Sequence, residues 1–352
     1  MIRVLHATTD TNIGGAGILL SHLLASESKG DIEYSVALPK ESALIPLLEG
    51  TKARLLPLPI REKSFCLRDM LPFARALREV RPTVLHTHGA LTSRLSAYLA
   101  PPVPYLVLSK HCVYQTRGST LLRLTAHAAI ATAPCASRLL QKSGMPPTRI
   151  LTVANAVPPK KADSLPSVYD LGVPRHKRAV VFCGRLEAEK NPFFFLHLAK
   201  YLQNDPRFFF LMIGGGSMYG RLAAASKRIP NLRVLGHLPS ERLPPRDAYL
   251  LLNCSPVSET ACLSLLEGFS LGIPALASDI EGNRELISPF GAGLLFSAHS
   301  VEACAMRLCR IAESDALYEG LRKGAKKAFE AHDLSRMCRQ YERFYRTLSK
   351  GN

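Results

Sequence analysis

The strongest constraint on this chain is a pattern that occurs twice. Short, continuous apolar runs alternate with longer amphipathic stretches. In the first half the runs are 2–7 (IRVLHA), 34–38 (YSVAL), 83–86 (TVLH), 105–108 (YLVL), 128–132 and 150–153. Leu71, Ala74 and Leu77 fall at helical spacing and predict a helix over 71–80. A strand with no polar alternation must be covered on both faces, which points to a parallel sheet with helices on either side. The pattern restarts at 179–183 (AVVFC), continues through 208–213 (FFFLMI), 233–235, 249–253 and 275–278, and ends at 293–296. Helices are predicted at 18–26, 192–203, 264–269, 317–331 and 334–348.

Residues 158–178 (PPKKADSLPSVYDLGVPRHKR) interrupt the rhythm with four prolines and a run of basic residues, and read as a linker. A chain of 352 residues suits two domains. The expected fold is therefore α/β, with two Rossmann-like doubly wound parallel-sheet domains facing across a cleft. The boundaries are 1–158, a linker at 159–178, a second domain at 179–333, and a terminal helix at 334–352 packing back on the first domain. Ligands of such sheets bind beyond the carboxyl ends of the strands.

The charge is lopsided: 45 Lys+Arg stand against 28 Asp+Glu, a net +17. Between Glu79 and Asp163 there is no acid, while ten basic residues occur, among them Arg94, Lys110, Arg117 and Arg123. Such a surface attracts phosphate-bearing partners or an anionic membrane. The interleaved aromatics are sparse (Tyr98, Tyr105 and Tyr114), so base stacking has little support and no nucleic acid is expected. The nine cysteines show no CxxC spacing and sit in apolar runs, as reduced core residues of a cytosolic protein do. The N-terminus lacks the order of a signal peptide, and no apolar run approaches the ~20 residues that span a bilayer. The expected location is cytoplasmic, with peripheral contact to the inner face of the membrane allowed for.

Several motifs sit where strands end. TNIGGAG (11–17) follows the first strand, and its backbone N–H groups suit an anion at the following helix start. It is not a dinucleotide fingerprint, because Leu20 stands where a third glycine is required. CGRLEAEKNP (183–192) places Arg185 and Lys190 just past a strand, where a guanidinium fork and an ammonium can hold a diphosphate. IGGGS (213–217) is a second glycine turn, and VANAV (153–157) precedes the linker. His6, His86, His88 and His111 lie at or near strand ends; each alone reads as a satisfied structural histidine. His86 and His88 have no carboxylate nearby in sequence, so no metal site is expected.

SETACLSLLEG (258–268) carries Glu259 and Glu267 at its two ends. Eight residues of helix turn through ~800°, about 80° out of register. The pair makes better sense with Glu259 in the loop before a helix and Glu267 inside it. The helix N-terminus then lies between them, open to phosphate. Hydroxyls at both ends and phosphate in the middle describe a nucleotide sugar.

Taken in order, Gly-Gly-Ala after the first strand, GRL-x-x-EK, E-x7-E, and Asp-x-x-Gly-Asn-x-Glu at 279–285 resemble the glycosyltransferase family 4 pattern on the GT-B fold. The likeness spans nearly the whole chain and is strongest over 180–287. It implies a retaining transferase that uses no metal or cofactor and moves a sugar from a nucleotide-diphosphate donor, UDP-sugar first and GDP-sugar second. The acceptor would be a glycan or a lipid-linked molecule in cell-surface polysaccharide or glycolipid synthesis. By resemblance Glu267 binds the donor ribose, Glu259 the transferred sugar, and Arg185 and Lys190 the diphosphate. The amides of Gly15, Ala16, Cys262 and Leu263, with Gly184 and Gly214, complete the donor set. His111 corresponds to a histidine near the sugar and counts with Arg185, Lys190 and Glu259 as catalytic. His88, Lys110, Arg117 and Asn155 are placed on the acceptor side. The sequence departs from the family where Ala156 follows Asn155 and where Thr260, Ala261 and Cys262 replace the usual Gly-Phe-Gly, which leaves donor identity open. Two other readings remain: a nucleotide-sugar 2-epimerase on the same fold, and a non-catalytic nucleotide-sugar or nucleic-acid binding protein.

Overall fold

The structure is a computed structural model. It describes residues 1–26, 30–61, 67–89, 103–112, 125–257 and 259–350. The chain forms two compact units, Met1–Ala156 with Asp333–Asn352, and Val157–His332.

The first unit is built on strands β1 (Ile2–Thr8), β2 (Ile32–Pro39), β3 (Arg54–Leu58), β4 (Val84–His88), β5 (Tyr105–Lys110), β6 (Ala128–Ala131) and β7 (Ile150–Thr152). They pair in parallel in the order β3-β2-β1-β4-β5-β6-β7, so the strand order reverses at the β1–β4 junction. Helices α1 (Gly15–Ala25), α2 (Ile45–Glu49), α3 (Leu67–Val80) and α4 (Pro134–Lys142) connect them. The central strands are buried on both faces, as their unbroken apolar runs require. The sequence reading missed β3, whose run RLLPL contains Pro57. The strand lies at the sheet edge, where a missing N–H is tolerated.

The second unit repeats the plan with β8 (Arg178–Cys183), β9 (Phe208–Ile213), β10 (Leu232–Gly236), β11 (Leu250–Asn253), β12 (Ala275–Ser278) and β13 (Gly293–Phe296), in the parallel order β10-β9-β8-β11-β12-β13. Its helices are α5 (Pro192–Tyr201), α6 (Tyr219–Ser226), α7 (Leu263–Ser270), α8 (Glu281–Ile287), α9 (Val301–Ala312) and α10 (Asp315–Ala331). One face of the sheet buries Phe195, Phe208 and Phe210, and the other buries Phe269 and Leu266. Each such side chain contributes about 1.5–3 kcal/mol of apolar burial.

The segment expected as a linker is packed into this second unit. Val168 and Val173 are buried in its core, and the Val168 N–H donates to the Arg246 carbonyl at 3.1 Å. Prolines end secondary structure, but the apolar residues between them anchor the segment. The terminal helix α11 (Leu334–Lys350) belongs to the first unit. Its apolar stripe (Met337, Cys338, Tyr341 and Tyr345) covers the sheet face carrying Val4, Val84, Val107 and Ile130. Arg346 fixes its far end by donating to both carboxylate oxygens of Asp31 at 2.7 and 2.8 Å.

Candidate functional site

The second unit gathers most of the expected residues at the carboxyl ends of its strands. Glu259 lies in the loop after β11, and Glu267 lies inside α7, which begins at Leu263 with Cys262 as its N-cap. Lys190, in a short 3-10 turn before α5, pairs with Glu259 Oε1. The Ser255 hydroxyl donates to the same oxygen at 2.7 Å. Both charged groups are nearly buried, at 24% and 13% side-chain exposure. Burial pushes the Glu259 carboxyl upward, but Lys190, Ser255 and Asn253 more than offset this and hold it below its ordinary range. Burial likewise depresses Lys190, and Glu259 more than restores it. The pair is therefore ionised at neutral pH. Arg185 is near enough to push against the charge of Lys190, and it pairs with Glu189 at 2.7 Å.

Glu267 has a different partner. Lys160, from the segment expected as a linker, approaches it at 3.0 Å and also donates to the Ser240 carbonyl at 2.9 Å. Burial dominates here and raises the Glu267 carboxyl despite the lysine. Lys160 was counted in sequence only among the basic residues, because its approach to Glu267 requires the fold.

Two close approaches shape these loops. A Cβ at Gly214 would meet the Gly184 carbonyl oxygen at 1.8 Å, so glycine there lets the turns after β8 and β9 touch. A Cβ at Gly282 would meet the Glu259 carbonyl oxygen at 2.1 Å, so α8 can abut the glutamate loop. Asn283 donates to the Ser278 carbonyl at 2.9 Å, and the Ser278 hydroxyl donates to the Ser255 carbonyl. The Gly-Asn motif thus acts through a polar brace behind Glu259.

In the first unit Gly15 and Ala16 open α1, whose N-cap Gly14 offers no side chain and whose first turn has no acid. First-turn N–H groups lack intrahelical acceptors and favour an anion. The histidines form a string that sequence reasoning did not foresee. His6 Nδ1 lies 3.0 Å from His88 Nε2, and His88 Nδ1 lies 3.0 Å from His111 Nε2. His86 bonds Tyr345 at 2.6 Å and Ser109 at 2.8 Å. The parallel register that sets His6 beside His86 creates the cluster. Burial lowers His86 and His88 well below the ordinary range, and His6 to about 3. Burial and then Lys110 lower His111 to about 4. A neutral imidazole has one N–H, so the tautomers along the string are coupled.

His6, His86 and His88 bring ring nitrogens within 4.8 Å of one another, a spacing that could hold a metal ion. His86 and His88, however, are stacked on each other with centroids 4.6 Å apart. Their nitrogens also already serve the hydrogen bonds above. Lys110 is buried and its ammonium is depressed by that burial. It therefore adds little to the basic surface of which the sequence made it part. Asn155 is buried in the first unit. Arg94, Arg117 and Arg123 lie outside the described residues.

Two parallel-sheet α/β units with acid–lysine pairs at the strand ends of the second define a GT-B protein. Residues 169–328 match the family model described as Glycosyl transferases group 1. The UDP-Gal:alpha-D-GlcNAc-diphosphoundecaprenol alpha-1,3-galactosyltransferase of Escherichia coli is 24% identical over 354 residues, 88% of this chain and 90% of that one. The phosphatidyl-myo-inositol mannosyltransferase of Mycolicibacterium smegmatis is 27% identical over 186 residues, 51% of this chain and 47% of its own length. Among solved structures, Anabaena Alr3699/HepE in complex with UDP and glucose matches with TM-score 0.84 at 16% identity, covering 99% of this chain and 100% of that one. The chain is a glycosyltransferase with the GT-B fold, and residues 169–328 resemble the group 1 glycosyl transferases.

Proposed function

We propose that the chain is a family 4 enzyme that moves a hexose from a UDP-sugar to a lipid-linked or glycan acceptor, with retention at the anomeric carbon and without a metal. The carrying observation is the ionised Lys190–Glu259 pair before α7, with Glu267 inside that helix. In this reading Glu267 takes the ribose hydroxyls and Glu259 orients the sugar. Arg185, Lys190 and the amides of Cys262 and Leu263 meet the charge that develops on the departing diphosphate, the electrostatic route to rate. Gly184 and Gly214 shape the turn beside them, and Gly15 and Ala16 offer further amides. His111, bonded to His88, is the histidine this reading assigns to the sugar, and the first unit is assigned the acceptor. The UDP-galactose named for the Escherichia coli relative, and the UDP named for the Anabaena structure, support UDP over GDP. The diphosphoundecaprenol in that relative's name supports a lipid-borne acceptor, reached at the cytoplasmic face of the membrane in polysaccharide synthesis.

The test is an incubation with UDP-Gal, UDP-Glc and UDP-GlcNAc, each with and without a short polyprenyl-diphosphate-linked sugar. UDP release that depends on the acceptor, and an α-linked product by NMR, are expected. A β-linked product refutes retention. An epimerised nucleotide sugar without transfer refutes the transferase reading of substrate and favours the 2-epimerase.

A further inference from the structure

The second unit carries another polar cavity at the opposite end of its sheet. It encloses about 570 Å³ between the segment before β8, the approaches to β11 and β12, and one face of α10. The candidate donor residues follow the carboxyl ends of β8, β9 and β11. This cavity lies at the amino ends, roughly 20 Å away along a six-residue strand.

Its lining is cationic. Arg175, Lys177, Arg178, Arg246 and Arg322 face it, against the single carboxylate of Asp247. That carboxylate is engaged, accepting from the Ser167 hydroxyl at 2.7 Å. Two of the guanidiniums are held by aromatic faces: Arg175 lies 5.2 Å over the Tyr169 ring and Arg178 lies 5.0 Å over Tyr249. Tyr249 is itself stacked on Tyr318 at 4.3 Å. A cation on an aromatic face is positioned without losing its charge; Arg178 also donates to the Ala312 carbonyl at 2.6 Å and lies 3.9 Å from Asp315, and Arg322 pairs with Glu319 at 3.1 Å. The Nε–H of Arg246 is buried without a hydrogen-bond acceptor, and the nearest carboxylate oxygen, on Asp247, stands at 3.8 Å. A buried donor without an acceptor is costly. Simple solvated surface charge explains neither the aromatic supports nor this orphaned donor.

We propose that this cavity is a second ligand site, for a phosphate compound carrying at least two negative charges, such as a diphosphate or bisphosphate. One phosphate would leave most of the volume and most of the cations unused. The planar guanidiniums suit paired phosphate oxygens. The phosphate can be soluble or displayed on a lipid headgroup. This goes beyond the donor reading and does not depend on it, because the two sites share no residue.

Inorganic pyrophosphate is the probe, titrated by calorimetry at low ionic strength into the full chain, into Lys190→Ala, and into Arg175→Glu/Lys177→Glu. The double variant changes residues that are exposed or half-buried, and circular dichroism checks its fold; Arg246→Gln is the second variant. Lys190→Ala is expected to keep one binding event, which the double variant loses by at least tenfold and Arg246→Gln weakens severalfold. Flotation with phosphatidylcholine vesicles carrying a lipid diphosphate, against plain phosphatidylcholine vesicles, separates the sources. Binding to the former that the double variant abolishes assigns a lipid phosphate; pyrophosphate binding without vesicle binding assigns a soluble one. If both the double variant and Arg246→Gln bind pyrophosphate like the parent, or if Lys190→Ala abolishes all binding, the proposal is overturned.

Discussion

Acid should unfold the first unit early, and the histidine string sets the amount. His6, His86 and His88 are neutral in the folded protein because burial lowers them, His6 to about 3. In the unfolded chain each returns to about 6.5. A base whose folded pKa is depressed stabilises fully above its unfolded pKa. That stability is lost as pH falls below 6.5, because the unfolded chain takes up protons that the folded one refuses. Between pH 7 and pH 5 the linkage comes to roughly 2 kcal/mol for His6, and His86 and His88 act in the same direction. His111, lowered to about 4, adds in the same direction. Even the His6 share is a sizeable fraction of the whole stability of many domains, about 5–15 kcal/mol.

The chain has no tryptophan, and Tyr34, Tyr341 and Tyr345 pack on this face, so near-UV tyrosine dichroism reports the region. Urea unfolding followed this way at pH 7.5, 6.5, 5.5 and 5.0 should show a midpoint that falls steeply below 6.5. His6→Gln removes one titrating group and should flatten the dependence, after an initial loss of roughly 1–3 kcal/mol because His88 loses a buried partner. A midpoint that moves by less than the equivalent of about 1 kcal/mol between pH 7 and 5 would refute the reasoning. So would a His6→Gln variant with the parent's full slope.

The remaining expectations concern the second unit. Lys190→Ala and Arg185→Ala should each lower kcat/KM by roughly 10²–10³, read in folded variants by coupled UDP release, with near-parent turnover counting against the assignment. Glu267→Gln should raise the donor KM by about tenfold with a smaller change in kcat, and an effect on kcat alone would move Glu267 from binding to chemistry. Activity should survive excess EDTA; loss restored by Mg²⁺ or Mn²⁺ would show a metal requirement. Gly214→Ala drives a methyl to 1.8 Å from the Gly184 carbonyl oxygen and should cost at least about 2 kcal/mol, seen as a lower Tm.

What was legible follows from the range of the forces involved. The strands β8 and β9 could be read because burial on both faces leaves a continuous apolar run, a purely local record. Glu259 and Glu267 could be placed on loop and helix by angular spacing alone. Strand β3 escaped because Pro57 argues against a strand unless the edge position is known. The segment 158–178 was misread because prolines signal interruption, while the burial of Val168 and Val173 against strands further along is not local. The histidine string was invisible for the same reason: it exists only once β1 and β4 adopt the register that sets His6 beside His86.

In the proposed reading the glutamates would serve folding and chemistry through the same contacts. Each is paired with a lysine from a different part of the chain, Lys190 for Glu259 and Lys160 for Glu267. Pairing limits the uncompensated charge that would otherwise be buried. It also presents two cations, Lys190 and Arg185, whose mutual repulsion an incoming diphosphate would relieve. Removing one partner strands the other, at a cost of about 3–5 kcal/mol for a buried pair. Glu259→Ala should therefore unfold part of the population as well as slow the reaction; Glu259→Gln also leaves Lys190 without its counter-charge but keeps the shape and an acceptor oxygen for it, so it should destabilise less. A comparison of the two, with activity corrected for the folded fraction, separates the carboxylate's part in holding Lys190 from its part in handling the sugar.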